Sequence, residues 1–407
     1  MDLTLEEVFE AYYECRKTKR YSSGALQYEV NLEENLIQLY TLLNMRAWIP
    51  GKSTCFIVTK PVRREIFAAP FRDRIVHHIL IRRLNPTFEK YFIKDSYACR
   101  KQKGTHAAIK RVEHFIKSQT NNGKSNAYVL KLDIKGFFMN IDKNLLWQKL
   151  ENFIDKKYTS DSADFEKYLC KQIIFNDPTK NCMFRSPQSE WKLLPKDKSL
   201  FTTKENCGLP IGNLTSQVFA NFFLSEYDHF IKHTLGIKCY VRYVDDCVFV
   251  HKNKQVLKYV IKKSKKFLIK QLNLTLHPKK IYLQPAKNGV AFLGTYIKPN
   301  YTVCSHRVKN NFVDCLKKYA TIANKHKLSK QEKQNCLSSI NSYLGIISHY
   351  KTYKFRKNQI IRYFEKWLKK HYYIPSNCKK IIKPVNSVSC EQIRLVKTHS
   401  LSLILKP

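Results

Sequence analysis

The sequence has no run of eighteen apolar residues, which is the length that a membrane-spanning helix needs. The first seven residues, Met1 to Glu7, are acidic and lack the apolar segment of a secretory signal peptide. No internal repeat and no low-complexity linker divides the chain. These absences predict a protein that makes no membrane contact and works in the cytoplasm.

Cysteine is present, but without the spacings that would give it a structural role. The 13 cysteines are odd in number, include no CxxC pair and form no cluster with histidine. This pattern argues against a disulfide framework and against a structural zinc site. Free cysteines are typical of a reducing compartment, which agrees with a cytoplasmic protein.

Acidic residues are scarce relative to basic ones. The chain has 32 Asp and Glu against 73 Lys and Arg, which gives a formal charge of +41 and a pI of about 9.8. Solubility does not require such an excess, and the usual partner of so positive a surface is a phosphate backbone. The charge therefore predicts binding to nucleic acid, with a membrane surface or the ribosome as alternatives.

The composition that is present is typical of a folded chain of two to three domains. Hydrophobic residues make up 43% and aromatic residues 13% of the 407 positions. Residues 55–80 are rich in arginine and β-formers, and residues 155–206 are polar and irregular, which predicts an inserted lobe. Apolar spacing predicts two helices within residues 1–50, and further helices over 75–84, 214–232 and 310–370.

Two segments combine apolar β-type residues with acids. Residues 127–134 alternate with a period of two, so that Asp133 lies on the face opposite to the apolar side chains. Residues 239–250 place Asp245 and Asp246 between two apolar runs, which predicts a hairpin with both acids at its turn. Adjacent like charges beside an apolar sheet are costly unless a cation offsets them. Three such carboxylates predict a site for two Mg²⁺ ions, which polymerases and nucleases both use.

Five short motifs, in their order along the chain, resemble those of the reverse transcriptase family. Asp133-Ile134-Lys135-Gly136-Phe137-Phe138 is similar to motif A, Gly208-Leu209-Pro210-Ile211-Gly212-Asn213-Leu214-Thr215-Ser216-Gln217 to motif B, Tyr243-Val244-Asp245-Asp246 to motif C, His277-Pro278-Lys279-Lys280 to motif D and Phe292-Leu293-Gly294 to motif E. Upstream, Lys60 to Arg74 and Asp95 to Lys101 resemble the finger blocks of the bacterial lineage. The resemblance covers residues 1 to about 370, and five ordered motifs are far more specific than any one of them.

The resemblance implies an α+β fold of the right-hand polymerase kind, with fingers, palm and thumb. In that fold an antiparallel palm sheet is backed by helices. We expect N-terminal helices and fingers over residues 1–125, the palm over 126–300 with a fingers insertion at about 150–206, a helical thumb over 301–372 and a C-terminal tail over 373–407.

The resemblance also implies a role for particular residues. Asp133, Asp245 and Asp246 are the expected catalytic carboxylates, and with Ile134 they form a site for two Mg²⁺ ions, for which Mn²⁺ can substitute. Phe138 would exclude ribonucleotides by clashing with their 2′-hydroxyl, and Lys279 or Lys280 would protonate the leaving pyrophosphate. The expected nucleotide-binding residues are Phe138, Ile211, Gly212, Gln217, Lys60, Arg63, Arg64 and Lys279. The expected primer and template contacts are Tyr243, Phe292, Leu293 and Gly294.

Motif B departs from the common pattern, which has Gln before the glycine and Pro after the serine. Ile211 and Gln217 occupy these positions, and the resulting motif B sequence resembles that of the reverse transcriptases of diversity-generating retroelements. The segments 198–201 and 342–345 are similar to that family too. This implies a bacterial, archaeal or phage enzyme that copies a template RNA into cDNA with errors opposite adenine, for use in retrohoming. Its implied partners are the template RNA, the primer–cDNA duplex, dNTPs and a small basic accessory variability protein.

Other functions have less support. A retron or phage-defence reverse transcriptase is the first alternative, and it differs in biology and not in chemistry. A non-catalytic RNA-binding module would have no reason to keep three costly acids together. Phe138 disfavours an RNA-dependent RNA polymerase. The last 35 residues are too short for the endonuclease region of a group II intron maturase, and the few dispersed acids after residue 300 predict no RNase H activity.

Overall fold

The computed structural model describes residues 3–17, 19–60, 62–325, 328–371 and 373–381. The chain divides into two compact units, of which the first comprises Met1–Val290 with Lys298–Asn300 and the second comprises Ala291–Ile297 with Tyr301–Pro407. Most of the predicted tail, residues 382–407, lies outside the described residues. The boundaries that the sequence predicts for fingers, palm and thumb stay predictions.

Within the described residues, groups of helices and groups of strands follow one another along the chain. The helices are α1 (Leu5–Arg16), α2 (Ser23–Glu29), α3 (Leu32–Asn44), α4 (Phe71–Tyr91), α5 (Thr105–Gln119), α6 (Lys143–Lys157), α7 (Ala163–Phe175), α8 (Leu214–Phe223), α9 (Ser225–His229), α10 (Lys254–Leu272), α11 (His306–Lys325), α12 (Lys330–Ile347) and α13 (Tyr353–His371). The strands are β1 (Ser53–Val58), β2 (Arg64–Ala68), β3 (Tyr128–Asp133), β4 (Cys182–Phe184), β5 (Tyr240–Tyr243), β6 (Asp246–His251), β7 (Tyr282–Pro285), β8 (Val290–Phe292), β9 (Thr295–Ile297) and β10 (Thr302–Cys304). This mixture confirms the α+β class.

The N-terminal region contains three helices, so the prediction of two was wrong. The first begins at a capping box, in which Thr4 Oγ1 accepts a hydrogen bond from the Glu7 backbone N–H and the Glu7 carboxylate accepts one from the Thr4 N–H. The helix that the sequence pattern did not reveal is α2. It is seven residues long and buries only Ala25, so it carries almost no apolar periodicity.

Strands β1, β2 and β4 form a three-stranded sheet in the order β2-β1-β4. The first two strands are antiparallel, whereas β4 runs parallel to β1. Glu65, in β2, is buried, and its carboxylate accepts hydrogen bonds from Trp191 Nε1 (2.6 Å), Ser199 Oγ (2.8 Å) and the Leu200 backbone N–H (2.6 Å). One carboxylate thus fastens the irregular segment that contains these residues to the sheet.

The lobe predicted to be irregular over residues 155–206 is irregular only in its second half. Its first half completes α6 and contains α7. Phe165 and Leu169 of α7 are fully buried in the main core of the first unit, and Ile173 packs against that core. These apolar residues recur at i and i+4, as in any amphipathic helix, but polar neighbours obscured the pattern.

Two other helices differ in length from the prediction. The helix expected over 75–84 is α4, which runs from Phe71 to Tyr91 and keeps Pro86 in its interior. The apolar spacing along the sequence stops at residue 84, well before the helix ends, because Pro86 and its polar neighbours interrupt it. The helix expected over 214–232 ends at Phe223 and is followed by the short α9 and a π-helical turn over Phe230–Thr234.

The acids lie on a four-stranded antiparallel sheet with the order β5-β6-β3-β7. Leu130 and Leu132 of β3 and Phe249 of β6 are buried in the main core, and α10 contacts both strands. Successive side chains of a strand point to opposite faces, so Lys131 and Asp133 lie on the face away from this core. This arrangement confirms the expectation of an antiparallel sheet backed by helices.

The second unit contains a small sheet in the order β10-β9-β8 and the helices α11, α12 and α13. Phe312 of α11, Ile340 and Leu344 of α12 and Ile360 of α13 share one buried cluster. These helices confirm the helical pattern that the sequence shows over 310–370. Across the described ranges, no helix has the length and apolar character that crossing a membrane requires.

Candidate active site

Backbone pairing brings Asp133 and Asp246 opposite each other. Asp133 is the last residue of β3 and Asp246 the first of β6, and the antiparallel register pairs them directly. Directly opposed residues extend from the same face, with their Cβ atoms about 5 Å apart. A two-residue turn, Val244 and Asp245, joins β5 to β6, so Asp245 comes directly before Asp246, the first residue of β6. The three carboxylates thus lie at one end of the sheet.

The turn that carries Asp245 is strained. Its other residue, Val244, has a φ of 55°, a conformation in which a β-branched side chain is a genuine outlier. Such backbone strain costs about 1–3 kcal/mol and persists only where the surroundings enforce it. Here the Arg242 guanidinium donates a hydrogen bond from Nη1 to the Val244 carbonyl oxygen, at 3.1 Å. Arg242 therefore helps to hold the backbone immediately before Asp245 and Asp246.

Arg242 is itself fixed by a buried ion pair. Both Arg242 and Asp228 are fully buried, and Arg242 Nε donates to Asp228 Oδ1 at 2.7 Å. The Tyr240 hydroxyl donates to the same oxygen at 2.7 Å. Burial alone would lower the pKa of Arg242, but Asp228 more than reverses this effect and raises that pKa. The guanidinium is therefore charged, and α9, β5 and the strained turn are tied together by one network.

The three carboxylates repel one another. Burial, and after it the negative charges of Asp246 and Asp133, raise the pKa of Asp245 to about 6. Lys280 acts in the opposite direction and lowers that pKa. At neutral pH Asp245 is ionised in an environment that disfavours its charge, which is the condition under which a bound cation is most stabilising.

A lysine reaches Asp133 because the chain after α10 returns to the end of β3. The His277 N–H donates to the Asp133 carbonyl at 2.8 Å, and Ile134 forms an isolated antiparallel bridge with Leu276. The short turn Pro278–Lys280 then places Lys280 Nζ 3.0 and 2.9 Å from the two carboxylate oxygens of Asp133. Burial lowers the pKa of Lys280, but Asp133 outweighs this and raises it, so the amine is protonated.

A second lysine pairs with Asp246. Lys131 Nζ lies 2.9 Å from Asp246 Oδ1, and alternation along β3 places Lys131 on the same face as Asp133. Among the residues that the structure describes, no three His, Cys, Asp or Glu side chains form a ready-made ligand cluster. The two ammonium groups supply the positive charge in this arrangement. The carboxylates nevertheless fit Mg²⁺, because they are hard oxygen donors at one end of the sheet and a divalent cation would offset their mutual repulsion.

Comparison with known proteins identifies the family. Residues 50–297, which are 248 of the 407 residues, match the family model described as reverse transcriptase (RNA-dependent DNA polymerase). The chain belongs to the reverse transcriptase family. This confirms the enzyme class predicted from the sequence, an RNA-directed DNA polymerase and hence a nucleotidyltransferase. Reverse transcriptases use divalent metals such as Mg²⁺.

Several solved structures are similar to this reverse transcriptase. They include apo telomerase from Candida tropicalis truncated from its C-terminal domain (14% identity, 62% of this chain and 55% of that chain, TM-score 0.44), apo telomerase from Candida tropicalis (13%, 79% and 60%, 0.47) and telomerase from Candida albicans in complex with a TWJ fragment of telomeric RNA (12%, 85% and 61%, 0.46). The chain thus spans 55% to 61% of the length of these proteins. Comparison with curated proteins gives no match.

Phe138, which the sequence predicts as the residue that excludes ribonucleotides, lies in the turn that follows β3. This 3-10 turn, Phe137–Asn140, begins after Gly136, whose φ is 52°. A Cβ at Gly136 would lie 2.7 Å from Asn140 Nδ2 and 3.1 Å from the Asp197 carbonyl oxygen, so this left-handed position favours glycine. The Phe138 ring is half-buried and packs edge-on against Phe137, with ring centroids 5.5 Å apart. Part of the ring packs against the core and part is exposed to solvent.

Motif B packs against strand β2. The Phe67 N–H donates to the Ile211 carbonyl at 2.8 Å, and the Ile211 side chain contacts the apolar cluster around Phe67. A Cβ at Gly212, whose φ is 130°, would lie 2.8 Å from the Phe67 carbonyl oxygen, so glycine is required by this close approach. Gln217 is exposed on α8, and its side-chain oxygen accepts a hydrogen bond from the Cys99 thiol at 3.1 Å.

The basic residues expected to bind triphosphate differ in their surroundings. Lys60 and Arg64 are exposed. Arg63 is half-buried and forms an ion pair with Glu190, so it already has a carboxylate partner. Lys279 is exposed, whereas its neighbour Lys280 contacts Asp133. Of the two lysines in motif D, Lys280 is the one that the structure brings to the carboxylates.

The expected primer and template contacts belong to both units. Tyr243 is half-buried in the first unit, and its hydroxyl lies 3.3 Å from Thr105 Oγ1. Phe292, Leu293 and Gly294 belong to the second unit. Leu293 and Gly294 form the two-residue turn between β8 and β9, with φ values of 46° and 81°. Two positive φ angles are the signature of a type I′ hairpin turn.

Sequence reasoning missed Arg242, Asp228 and Lys131. Lys131 could have been found, because alternation places it on the face of Asp133. Arg242 is a lone charge within an apolar β-run, and a buried charge requires a partner, so a buried ion pair could have been anticipated. The identity of this partner, Asp228, could not have been anticipated, because helix α9 and strand β5 meet only in the folded chain.

Proposed function

We propose that this reverse transcriptase copies an RNA template into DNA at a site for two Mg²⁺ ions, replaceable by Mn²⁺, formed by Asp133, Asp245 and Asp246 with the backbone at Ile134. The observation that carries the proposal is the direct pairing of Asp133 with Asp246 beside the strained turn that presents Asp245. When bound, the ions would activate the primer 3′-hydroxyl and stabilise the leaving pyrophosphate. The right-hand arrangement, with the helices of the second unit as the thumb, is part of this proposal.

Lys280 is the residue that we propose as proton donor to the pyrophosphate, with Lys279 as the alternative. Its ammonium group lies 2.9 Å from Asp133 Oδ2 and is protonated, since Asp133 raises its pKa. A protonated amine at this position would neutralise charge that develops on the leaving group and could transfer its proton there. Lys60 and Arg64, both exposed, are proposed as contacts to the triphosphate, and Arg63 would first have to leave Glu190.

Phe138 is proposed to select deoxynucleotides through the exposed part of its ring. The Phe138→Ala variant is expected to lose discrimination against rNTPs by about 10- to 100-fold, because removing the ring removes a clash worth about 1–3 kcal/mol. The measurement is the ratio of kcat/KM for dGTP and rGTP on one primer–template. Phe138→Tyr keeps the ring and is expected to retain the parent ratio. A parent-like ratio in Phe138→Ala would assign the gate to another residue.

The sequence of motif B supports a more specific proposal. The enzyme synthesises cDNA with errors opposite template adenines, as part of a diversity-generating retroelement. Ile211 places an aliphatic side chain where most relatives have a glutamine that can hydrogen-bond the incoming nucleotide. Losing that hydrogen bond weakens the discrimination between base pairs. A template RNA and a small basic accessory variability protein are the partners of this proposal. A retron or phage-defence role would use the same chemistry with accurate copying.

The Ile211→Gln variant is expected to lower the error frequency opposite template adenine about tenfold, because a glutamine hydrogen bond is worth about 1–2 kcal/mol at such a site. The main-chain bond between Phe67 N–H and the Ile211 carbonyl does not depend on the side chain, so the loop should keep its position. Sequencing of cDNA copied from one RNA template gives the error spectrum. Ile211→Val, which keeps an aliphatic side chain, serves as the control. Unchanged adenine errors in Ile211→Gln would remove Ile211 from the explanation.

The proposed function is tested by primer extension on an RNA template with Mg²⁺, in which dNTPs and rNTPs are compared and the product is sequenced. DNA with errors concentrated opposite adenine supports both the polymerase and the retroelement role. Accurate DNA supports the polymerase and favours the retron or defence role. Absence of product in the presence of the native RNA and accessory protein would favour a non-catalytic RNA-binding module.

A further inference from the structure

One face of α10 carries a regular row of lysines. Helix α10 contains no Asp or Glu over its 19 residues. Five exposed lysines recur at every fourth position along its whole length: Lys254, Lys258, Lys262, Lys266 and Lys270. Each lysine is about 6 Å further along the helix than the one before it and about 40° further around it, so the five side chains form a ridge about 24 Å long that turns through about 160° of the helix surface. We refer to them as the lysine row.

The lysine row is unfavourable for the helix that carries it. Like charges at positions i and i+4 repel each other, and α10 provides no acid to offset four such repulsions in succession. Some lysines elsewhere in the first unit are paired with acids, as in Lys149 with Glu226 at 2.7 Å and Lys232 with Asp95 at 2.8 Å. Between the described residues, no ion pair involves a member of the row, and Lys254 contacts the Tyr128 ring, with its Nζ 5.8 Å from the ring centroid. One such contact at the end of the row does not explain the other four lysines by the stability of the fold.

The catalytic site does not explain the row either. Helix α10 packs through Leu257, Val260 and Leu268 into the core beneath β3 and β6. Asp133 and Asp246 lie on the opposite face of these strands, because successive side chains alternate. The lysine row is exposed to solvent over the part of α10 that does not pack on the sheet, whereas the carboxylates lie on the opposite face of that sheet. A nucleic acid held at the carboxylates would not reach it directly.

We propose that the lysine row binds the phosphate backbone of an RNA segment that is not being copied. Successive lysines of the row are about 6 Å apart along the helix, which is of the same order as the spacing of phosphates along a strand. Flexible ammonium groups bind phosphates as point charges, without reading sequence. Tyr259, 51% exposed between members of the row, offers a ring on which an unpaired base can stack.

A membrane surface fits the lysine row less well than RNA does. Amphipathic helices bind membranes by inserting an apolar face, and the apolar face of α10 is already buried in the core of the first unit. Only Tyr259 and Ile269 are large apolar side chains exposed on this helix. The proposal goes beyond the copying reaction, since it requires RNA binding and not catalysis.

The test replaces all five lysines of the row with glutamine in the full chain. Its matched control replaces five exposed lysines of the same unit, Lys17, Lys19, Lys156, Lys157 and Lys180, with glutamine, so that both variants lose the same charge. Affinity for a long RNA with single-stranded and paired regions is measured at several salt concentrations, without nucleotides or metal. The row variant is expected to bind at least about tenfold more weakly. The slope of log K against log[salt] should become shallower by about 3.5, because each phosphate that the row no longer neutralises reduces it by about 0.7.

The control variant is expected to lose less than about threefold in affinity, because its lysines form no row. The row variant should melt at a temperature no lower than that of the parent, since glutamine removes the repulsion along α10 and is as good a helix former as lysine. Equal losses of affinity in the two variants would overturn the proposal in favour of a general charge effect. Unchanged RNA affinity with lost binding to vesicles of anionic phospholipid would overturn it in favour of a membrane. Since no step of the assay needs DNA synthesis, a failure of the proposed polymerase function would not alter either result.

Discussion

Replacement of Asp245 with asparagine is expected to abolish DNA synthesis, with kcat/KM lower by about three orders of magnitude or more. An amide is a neutral and weaker ligand for Mg²⁺ than a carboxylate, and loss of a metal-held transition state costs several kcal/mol, at about 1.4 kcal/mol for each tenfold in rate. Asp245 is an informative acid to replace because burial and the charges of Asp246 and Asp133 raise its pKa to about 6. Primer extension on an RNA template with dNTPs and Mg²⁺ measures the effect.

The same variant is expected to melt at a temperature no lower than that of the parent. The pKa of Asp245 is higher in the folded chain than the ordinary value of 3.8, so at neutral pH its ionised form is less stable in the folded than in the unfolded chain. Asparagine removes that cost while keeping the shape of the side chain. Loss of activity with retained stability therefore separates a catalytic role from misfolding.

Asp164→Asn is the matched control for Asp245→Asn. Asp164 is an exposed acid of α7 that pairs with Lys167 at 2.9 Å, and we expect parent-like synthesis when its charge is removed. DNA synthesis by Asp245→Asn within about tenfold of the parent rate would contradict the proposed metal site. In that case Asp133 and Asp246 would have to hold the metal ions without a carboxylate at position 245.

The convergence of the carboxylates could be predicted because it depends on local rules. Alternation along residues 127–134 placed Asp133 on the open face, and the apolar runs around Asp245 and Asp246 predicted a hairpin. Each rule involves residues close in sequence, where side-chain period and turn chemistry dominate. The direct pairing of Asp133 with Asp246 depends on the register between β3 and β6, which the buried apolar face of the sheet fixes.

Other features could not be predicted because they arise only in the folded chain. Arg242 and Asp228 are 14 positions apart in different elements, and neither residue type alone indicates which partner a buried charge will find. Motif D offered two adjacent lysines, and composition could not select between them in a chain with 73 basic residues. The bridge between Ile134 and Leu276 makes that selection, because it fixes where the turn of Lys280 lies against β3.

Errors in the predicted helices have a common physical cause. Helix α7 was hidden because polar residues separate the apolar ones that pack into the core, and α2 because it buries one alanine. In both cases tertiary contacts stabilise an element whose own pattern is weak. The strong local patterns, by contrast, belong to β3 and the β5–β6 hairpin. The strands that carry the three acids were therefore easier to predict from the sequence than the helices α2 and α7.

Removal of Asp228 is expected to have the largest effect on stability of any single substitution at this site. Asp228→Ala leaves the guanidinium of Arg242 buried without its carboxylate and the Tyr240 hydroxyl without its acceptor. Breaking a buried ion pair from one side costs about 3–5 kcal/mol. We expect a correspondingly lower unfolding midpoint in urea, with little soluble protein at 37 °C. A midpoint equal to that of the parent would show that Arg242 finds another partner.

The network also predicts a separation of stability from activity. Replacing the three buried polar residues together by apolar ones, as Asp228→Leu, Arg242→Met and Tyr240→Phe, removes both buried charges and the hydroxyl at once, and such replacements are often neutral for stability. The Asn221 carbonyl loses its hydrogen bond from Arg242 Nη2. The Val244 carbonyl would still lose the hydrogen bond from Arg242 Nη1, so nothing from this network would hold the strained turn that carries Asp245. We therefore expect the triple variant to unfold within about 1–2 kcal/mol of the parent but to synthesise DNA at least about tenfold more slowly, because misplacement of a catalytic group by 1 Å can cost that much or more. Parent-like synthesis by a stable triple variant would limit Arg242 to a role in folding, whereas slow synthesis would establish it as a positioning residue for Asp245.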